Sequence, residues 1–352
     1  MRGFVYTHKN HMELQDLPLP NPGPKEVVVK VNGCGVCGTD IHIFHGEVPL
    51  AKPPVVLGHE IVGTVYGLGS GVSDLHEGQV VCLNPVISCL ECDYCHSGRY
   101  NLCKNPTVLG YHVTGGFAEF TKAPRSHVHP IDAKVGVKGG VIVEPLACVL
   151  NGYDRLGLQP GRNVLVLGAG PIGLIWTQLL AHSPLTKIAQ TDKVKSRCEK
   201  AKMLGANHVI HVVAESLHEF VGDVFPEGFD YVIDVTGDPA AVEEGLNFVK
   251  RGGTFMVFGV APYGSRCNID PYRIFDHEIK IIGAKMPPMT LSRAVALVES
   301  GQIDYHTIIS DVYPLEQLPN AFSLFEKGQD KVLKMAVKPN RCLELDFEAP
   351  AL

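Results

Sequence analysis

A group of four cysteines is the feature of this sequence that points most directly to chemistry. They follow a C-x2-C-x2-C-x7-C spacing and are Cys89, Cys92, Cys95 and Cys103. Thiolates spaced this closely can surround a zinc ion from a single loop, and four protein ligands leave no position for water or substrate. The chain has 11 cysteines, an odd number, and in a reducing compartment zinc ligation is favoured over disulfides. The spacing therefore predicts a structural zinc site that stabilises a loop.

A second set of candidate ligands is dispersed along the first part of the chain. It comprises Cys37, the adjacent pair His59 and Glu60, and Glu144. Separated segments can supply three ligands and leave the fourth position of a zinc ion open to water or a substrate oxygen. Taken singly, these residues also fit ordinary roles as a buried thiol, a loop histidine, an exposed charge or a helix cap. As a set they are the candidates for a catalytic zinc site.

A glycine motif of the form G-x-G-x-x-G directly follows the apolar segment 164–167 and precedes an apolar helical segment. Its first glycine permits a tight turn, the second lets the backbone approach a pyrophosphate, and the third lets the helix pack closely on the strand. The diphosphate is expected at the amino terminus of the helix. The predicted cofactor-binding residues are Gly168, Gly170, Pro171, Ile172, Gly173, Asp192, Arg197 and Thr236.

Asp192 indicates which dinucleotide is bound. It stands 19 residues after Gly173, at the end of the next predicted strand. A carboxylate there can accept hydrogen bonds from both ribose hydroxyls and repels a 2′-phosphate, which favours NAD. Lys193, Lys195 and Arg197 add positive charge nearby and keep NADP as the alternative.

The elements that must position these residues change character near residue 150. Residues 1–151 contain short β-branched runs broken by Gly and Pro, which predicts a β-rich domain with long loops. In residues 152–286, buried apolar strands alternate with amphipathic helices, which predicts a doubly wound parallel sheet. Residues 287–352 end in another strand and are expected to return to the first domain. The predicted class is α/β with two domains.

Composition excludes several classes of function. The net charge is -6 and the basic residues are scattered, so there is no footprint for nucleic acid or an anionic membrane. The amino terminus lacks the apolar core of a signal peptide, and the longest apolar stretch is interrupted by Gly-Ala-Gly-Pro. These observations predict a cytoplasmic protein with a small-molecule substrate.

Taken together, the motifs resemble the zinc-dependent medium-chain dehydrogenase/reductase family over nearly the whole chain. The resemblance rests on residues 35–42 (GVCGTDIH), the Gly58-His59-Glu60 segment, the four-cysteine loop, Glu144-Pro145 and the glycine motif, in the family's order. It implies a GroES-like β-rich catalytic domain carrying two zinc ions, a Rossmann domain that binds NAD, and an active site between them. It also implies a homodimer or homotetramer.

Residues around Glu144 indicate a branch within the family. The segment 144–147 (EPLA) is similar to sorbitol and other polyol dehydrogenases, whereas ethanol-type enzymes place a cysteine ligand there. By resemblance, Cys37 and His59 are zinc ligands, and Glu60 or Glu144 completes the set directly or through water. An oxygen ligand suits a substrate that offers two oxygens to the metal, as vicinal diols do.

Other positions narrow the substrate class. Threonine dehydrogenases usually carry Gly-Asn where this chain has Ala147-Cys148, which disfavours threonine. Animal sorbitol dehydrogenases carry a tyrosine and an Arg-Tyr pair where this chain has Ile43, Lys285 and Met286. The resemblance therefore favours the polyol class over sorbitol itself.

The implied reaction is oxidation of a secondary hydroxyl of a polyol to the ketose, with hydride transfer to NAD and zinc activating the hydroxyl. Thr39 and His42 are predicted to relay the proton, and the alternative is that both are turn residues. Threonine, butanediol and polyol-phosphate dehydrogenases would use the same core residues. A member that binds nucleotide without catalysis is the alternative from another class.

Overall fold

The computed structural model describes residues 1–328 and 332–339. These residues contain eighteen β-strands and ten α-helices. The strands are β1 Arg2–His8, β2 His11–Asp16, β3 Glu26–Val36, β4 Val55–Val56, β5 Glu60–Leu68, β6 Val80–Leu83, β7 Val86–Ile87, β8 Thr107–Val108, β9 Phe120–Pro124, β10 Val128–Pro130, β11 Asn163–Leu167, β12 Lys187–Asp192, β13 His208–His211, β14 Phe229–Asp234, β15 Val249–Val257, β16 Lys280–Gly283, β17 Ile309–Pro314 and β18 Lys334–Lys338. The helices are α1 Gly38–Phe44, α2 Asp93–His96, α3 Gly136–Leu156, α4 Pro171–Ala181, α5 Lys195–Met203, α6 Leu217–Val224, α7 Pro239–Leu246, α8 Pro271–His277, α9 Leu291–Glu299 and α10 Leu318–Glu326.

The chain forms two compact units. The first comprises Met1–Ala147 and the described residues from Met286 onward, and the second is Cys148–Lys285. The boundaries at residues 151 and 286 that the sequence suggests stay a prediction.

The first unit is built on a mixed seven-stranded sheet. Six strands follow the order β10-β6-β5-β3-β18-β17, and β9 also pairs with β3. The strand β3 is the centre of this arrangement, since β5, β9 and β18 all pair with it antiparallel. Gly35 on β3 lies opposite Glu60 on β5, and Val36 lies opposite Met335 on β18. This register brings three distant segments together at one end of β3.

Side chains from these strands and from helix α10 share one apolar core. Its members include Val29, Ile61, Phe117, Leu318 and Met335, all at or close to zero exposure. Burial of this apolar surface contributes roughly 25 cal/mol per Å² and is what holds β3, β5 and β18 in register.

The second unit contains a six-stranded parallel sheet in the order β13-β12-β11-β14-β15-β16. Numbered from its first strand, this is the 3-2-1-4-5-6 order of a dinucleotide-binding sheet, in which ligands bind outside the carboxyl ends of the strands. Its strands read as near-continuous apolar runs because both faces are covered, with Leu165, Val232 and Phe255 in the core. The predicted doubly wound parallel sheet is confirmed.

Helix α3 is the main element that the sequence pattern did not suggest. It carries three adjacent β-branched residues at 141–143 and has Pro145 inside it, both of which disfavour helix in isolation. Nearly every side chain from Val141 to Leu150 is buried, so the helix has no polar face to produce a helical period. Tertiary packing outweighs local propensity here. Within the described residues, no helix combines the length and the apolar character that crossing a membrane requires.

Candidate metal and cofactor sites

The four-cysteine segment folds into a compact lobe beside the short strands β7 and β8. The ligand atoms of Cys89, Cys92, Cys95 and Cys103 all lie within 4.8 Å of one another. Sγ of Cys95 is 3.6 Å from Sγ of Cys92 and 3.9 Å from that of Cys89. Zn–S bonds of about 2.3 Å in tetrahedral geometry separate neighbouring sulfurs by about 3.8 Å. The lobe therefore fits a zinc ion without rearrangement.

The thiols of the lobe differ in pKa: hydrogen bonds lower the values of Cys89 and Cys92, whereas burial raises that of Cys95. Hydrogen bonds from the backbone N–H groups of Lys104 and Cys95 lower the pKa of the Cys92 thiol to about 6. A thiolate is the form that binds metal. All ten cysteines within residues 1–328 are free thiols, so the lobe contains no disulfide.

Three of the dispersed candidates also come together. The ligand atoms of Cys37, His59 and Glu60 lie within 4.8 Å of one another. Cys37 follows β3 and precedes α1, while Glu60 begins β5, so the pairing of these two strands creates the cluster. A side chain at Gly35 would place its Cβ 1.9 Å from Oε2 of Glu60. Glycine at that position therefore leaves the space that the carboxylate occupies.

The buried ligand atoms of this cluster suit a cation. His59 and Glu60 are buried, and Oε2 of Glu60 has no hydrogen-bond partner among the described residues. A buried acceptor of a charged group without a partner costs more than about 1–3 kcal/mol. A zinc ion held by one sulfur, one imidazole nitrogen and one carboxylate oxygen would satisfy it and keep a coordination position open.

Asp40 positions two of these residues, a role that the sequence reasoning did not assign to it. Its Oδ2 accepts a hydrogen bond of 3.0 Å from the backbone N–H of Cys37. Its Oδ1 lies 3.2 Å from Nδ1 of His59, close enough for an ion pair but poorly aligned for a hydrogen bond. The carboxylate is wholly buried. A carboxylate behind a histidine ligand fixes the ring orientation and raises its basicity.

Lys334 is another residue at this cluster to which the sequence reasoning assigned no role. Its Nζ lies 2.5 Å from Oε1 of Glu60, and the residue sits in the middle of the apolar strand segment 332–337. A single lysine in such a run is the only sequence signal, since lysines are almost never buried without a partner. The pair leaves the second oxygen of Glu60 free for the cluster.

The remaining catalytic candidates lie in the same unit. Glu144 is buried on α3, but within residues 1–328 and 332–339 it belongs to neither ligand cluster. Sγ of Cys37 lies 3.6 Å from Oγ1 of Thr39. His42 is 35% exposed, and its Nδ1 lies 2.6 Å from Oε2 of Glu47. Thr39 is thus beside the metal cluster and His42 is open to solvent, whereas Glu144 remains a predicted ligand or water-mediated partner.

Tyr111 is a further residue at the cluster that sequence reasoning missed. Its ring packs edge-on against His59, with the centroids 5.4 Å apart. Burial raises the pKa of Tyr111 above its usual range; His59 opposes the shift, and the negative groups Cys37, Asp40 and Glu144 add to it. The phenol therefore lies within electrostatic reach of all these groups.

In the second unit, the glycine motif has the predicted strand-turn-helix geometry. Gly168 has φ +105°, a conformation that favours glycine. A Cβ at Gly173 would lie 2.2 Å from the carbonyl oxygen of Gly168, so close packing requires its absence. A Cβ at Gly170, the N-cap of α4, would meet nothing within 4 Å, and Pro171 opens the helix. The half-buried Ile172 follows in the first turn. The open space at Gly170 is what a diphosphate needs.

Asp192 ends β12 beside this turn. Its Oδ2 accepts from the backbone N–H of Ala169 at 2.7 Å, and Oδ1 accepts from that of Val194 at 2.8 Å. Each carboxylate oxygen has a second lone pair, which remains available to a ribose hydroxyl. Nε of Arg197 is buried and has no hydrogen-bond partner within the described part of the chain. Thr236 donates from both N and Oγ1 to Oδ1 of the buried Asp234, which fixes the loop after β14.

Comparison with known families agrees with both units. Residues 23–133 match the family model described as alcohol dehydrogenase GroES-like domain. Residues 171–300 match the model described as zinc-binding dehydrogenase. The first match covers the ligand clusters and the second covers every strand of the dinucleotide sheet except β11, so the fold class of GroES-like domain plus Rossmann sheet is confirmed.

Several characterised proteins are similar over almost their full length. D-arabinitol dehydrogenase 1 of Uromyces fabae is 34% identical over 344 residues, 97% of each chain. Sorbitol dehydrogenase of Bacillus subtilis strain 168 is 30% identical over 346 residues, which is 97% of this chain and 98% of that protein. L-threonine 3-dehydrogenase of Xanthomonas oryzae pv. oryzae is 32% identical over 323 residues, 90% and 93% of the two chains.

Solved structures give the same result. A Sinorhizobium meliloti 1021 protein described as a zinc-binding dehydrogenase, with bound NADP, superposes with a TM-score of 0.91 at 33% identity and covers 96% of this chain and 99% of that one. A structure described as a short chain alcohol dehydrogenase of Escherichia coli CFT073, complexed with NADH, superposes with a TM-score of 0.90 at 27% identity, with the same coverage. The chain belongs to the zinc-dependent medium-chain alcohol dehydrogenase family and is an oxidoreductase.

Proposed function

We propose that this protein oxidises a secondary hydroxyl of a polyol to the corresponding ketose, with NAD as the hydride acceptor. The observation that carries the proposal is the contrast between the two ligand clusters. The cysteine lobe offers four ligand atoms, whereas the cluster of Cys37, His59 and Glu60 offers three. A zinc site with three protein ligands keeps a position for the substrate, and one with four does not.

The residues of the open cluster divide into ligands and supports. Cys37, His59 and Glu60 would hold the ion, which when bound supplies a Lewis acid for the reacting hydroxyl. Asp40 keeps the His59 ring and the Cys37 backbone in place. Lys334 fixes one oxygen of Glu60 and offsets its charge. Cys37 and Glu60 both bring negative charge to the cluster. Because Lys334 neutralises Glu60, the cluster is less negative than its ligands alone would make it.

A proton must leave the substrate during oxidation. The Thr39 hydroxyl, beside the sulfur of Cys37, is placed to take it, and the exposed His42 is placed to pass it to water. Glu47 accepts from Nδ1 of His42 when that nitrogen is protonated, which leaves Nε2 as the acceptor. The proposed relay therefore runs from the half-buried hydroxyl of Thr39 to the partly exposed imidazole of His42.

Asp192 is the residue that supports the proposed cofactor preference. Its carboxylate can accept the ribose hydroxyls and would repel a 2′-phosphate, so we propose NAD over NADP. The chain is similar to one protein solved with NADP and to another solved with NADH, so the test includes both cofactors. Arg197, with an unpartnered Nε, is the residue that would favour NADP.

The polyol class is supported by the similarity to arabinitol and sorbitol dehydrogenases and by the buried Glu144. The similarity to threonine dehydrogenases makes threonine the second candidate. The test is a substrate panel of arabinitol, xylitol, sorbitol, their phosphates, 2,3-butanediol and threonine, each with NAD and NADP. We expect the highest kcat/KM for an unphosphorylated polyol with NAD.

A higher kcat/KM for threonine than for the polyols would overturn the proposed substrate class. A higher kcat/KM with NADP than with NAD would overturn the proposed cofactor. Metal analysis of the same preparation should give two zinc ions per chain. A protein that binds nucleotide but contains no zinc and oxidises nothing on the panel would be the non-catalytic member of the family.

We further propose a homodimer or homotetramer in the cytoplasm. In the second unit, Tyr272 and Phe275 are 71% and 79% exposed and their ring centroids lie 6.5 Å apart, an aromatic surface that suits a subunit contact. The free thiols agree with a reducing compartment. Sedimentation of Phe275→Asp should show a smaller species than the parent protein if this surface is the contact.

A further inference from the structure

The loop that follows β8 is held rigidly against the metal cluster. The backbone N–H of Tyr111 donates to the Val108 carbonyl at 3.1 Å, and its own carbonyl accepts from Lys52 at 2.8 Å. Gly110 has φ +85°, and a Cβ there would lie 2.6 Å from the Gly58 carbonyl oxygen. The loop therefore packs on the residue directly before His59, and Tyr111 has a fixed backbone at that point.

The side chain of Tyr111 is fixed as well. The residue is 5% exposed, and its ring meets the His59 imidazole in an edge-on arrangement. This contact holds the tyrosine ring against one residue of the ligand cluster. Both the loop and the ring contact are independent of whether a metal is bound, since neither uses a ligand atom that the cluster needs for the ion.

Among the described residues, no hydrogen bond joins the hydroxyl of Tyr111 to the protein, and its oxygen is not one of the wholly buried atoms that lack a partner. A phenol hydroxyl that the protein leaves without a hydrogen bond and not wholly buried can bond water or a bound molecule. This hydroxyl is within electrostatic reach of Cys37, Asp40 and Glu144. A hydroxyl in this state beside a three-ligand cluster is available to a substrate that enters the site.

We propose that Tyr111 is a specificity-determining residue whose hydroxyl hydrogen-bonds a second oxygen of the substrate, next to the hydroxyl that is oxidised. A phenol donates one hydrogen bond and accepts others, which matches an alcohol group in either role. A substrate with a single hydroxyl leaves the phenol unpaired, and a site built around such a bond rejects it. Tyr111 thereby selects diols and polyols over simple alcohols. This inference rests on the proposed function.

The test compares 2-butanol with 2,3-butanediol, which share a carbon skeleton and differ by one hydroxyl, together with arabinitol. Tyr111→Phe removes the hydroxyl and keeps the ring packed on His59. We expect kcat/KM for the diol and for arabinitol to fall about tenfold, the value of one hydrogen bond to a substrate, while that for 2-butanol changes less than about twofold. Calorimetric titration of zinc-loaded, NAD-free protein with arabinitol should show a loss of affinity of similar size.

Tyr6→Phe is the matched control. Tyr6 is a buried tyrosine of the same unit, and burial is the only influence on its pKa, so its hydroxyl is remote from the charged groups of the cluster. Tyr6→Phe should leave the ratio of kcat/KM for 2,3-butanediol to that for 2-butanol unchanged.

The outcomes are distinguishable. An equal fall for 2-butanol and the diol in Tyr111→Phe, or no change for either, would overturn the inference while the parent enzyme still oxidises alcohols. Failure of the parent protein to oxidise any alcohol would instead overturn the proposed function. A lowered melting temperature in Tyr111→Phe with an unchanged substrate ratio would assign the hydroxyl a purely structural role.

Discussion

Lys334 and Glu60 form an ion pair that is almost wholly removed from solvent. Nζ of Lys334 lies 2.5 Å from Oε1 of Glu60, and the side chains are 5% and 1% exposed. The lysine arrives from β18, which pairs with β3 beside the ligand cluster. Glu60 also belongs to the ligand cluster with Cys37 and His59, so we expect loss of the pair to affect both the stability of the first unit and its metal binding.

Removing the lysine alone should be costly. Lys334→Met leaves the Glu60 charge buried without its partner, and we expect the free energy of unfolding to fall by about 3–5 kcal/mol in zinc-depleted protein. Urea unfolding measures this. Zinc loading should reduce the loss, because the ion restores a positive charge at Glu60. The double variant Lys334→Met, Glu60→Gln should recover part of the stability, and strictly additive losses would show that the two residues are not coupled.

Loss of a ligand in the open cluster should remove one zinc and the activity. For Cys37→Ala we expect about one zinc per chain and a fall in kcat of at least about a hundredfold, as the Lewis acid is lost. Zinc analysis and turnover assays measure both quantities. Cys34→Ala is the matched control, because Cys34 is a buried thiol on β3 that lies outside both ligand clusters among the described residues. Full zinc content in Cys37→Ala would remove Cys37 from the ligand set.

Loss of a ligand in the lobe should mainly affect stability. Cys92→Ser is expected to lower the melting temperature and to abolish the stabilisation that zinc provides, since a structural zinc contributes folding free energy directly. Differential scanning calorimetry with and without chelator measures this effect. The exposed thiol variant Cys267→Ser should behave like the parent. An unchanged melting temperature in a stably folded Cys92→Ser would count against a structural zinc.

Asp192 should control the choice of cofactor. Asp192→Asn removes the charge that repels a 2′-phosphate but keeps one acceptor oxygen for the backbone N–H of Ala169 or Val194. We expect the ratio of kcat/KM with NAD to that with NADP to fall about tenfold or more. Steady-state kinetics with both cofactors provide the measurement, and Arg197→Gln should shift the ratio in the opposite direction. A ratio that stays constant in Asp192→Asn would refute the assignment.

Acid should destabilise the first unit through His129. Burial, together with the positive charges of His127 and Arg125, lowers the pKa of His129 to about 4. In the unfolded chain the value is about 6.5, so the unfolded state takes up a proton that the native state excludes. Its contribution to stability is complete above about pH 6.5 and is lost as the pH falls toward about 4. His129→Gln should flatten the fall in melting temperature over this range, whereas the exposed His218→Gln should not.

Two features could be predicted from the sequence because they are local. The four lobe cysteines lie within one short segment, so their spacing alone limits them to a common site. The glycine motif likewise joins one strand to the next helix, and the structure shows the turn at Gly168 and the close contact at Gly173 that the motif requires. The alternation of strands and helices after residue 152 predicted the parallel sheet for the same reason.

The residues around the open cluster could not be predicted in this way. Asp40 lies in the first turn of α1 and Tyr111 in the loop after β8, and neither position signals a role at the cluster. Lys334 is 274 positions away from the carboxylate that it contacts. The sequence of helix α3 lacks a periodic pattern of apolar and polar residues because its side chains are buried all round. Each of these depends on contacts between segments that are remote in the chain, and residue spacing contains no information about such contacts.

The sequence by itself determined the family, the closed cysteine lobe and the dinucleotide turn, since a short segment with few backbone options sets the geometry of each. Only the tertiary structure decided that Glu60 joins Cys37 and His59, that Lys334 neutralises it, and that the Tyr111 ring packs on His59. The physical reason is the register of β3 with β5 and β18. That register is set by burial of a shared apolar core and by the backbone hydrogen bonds of the whole sheet.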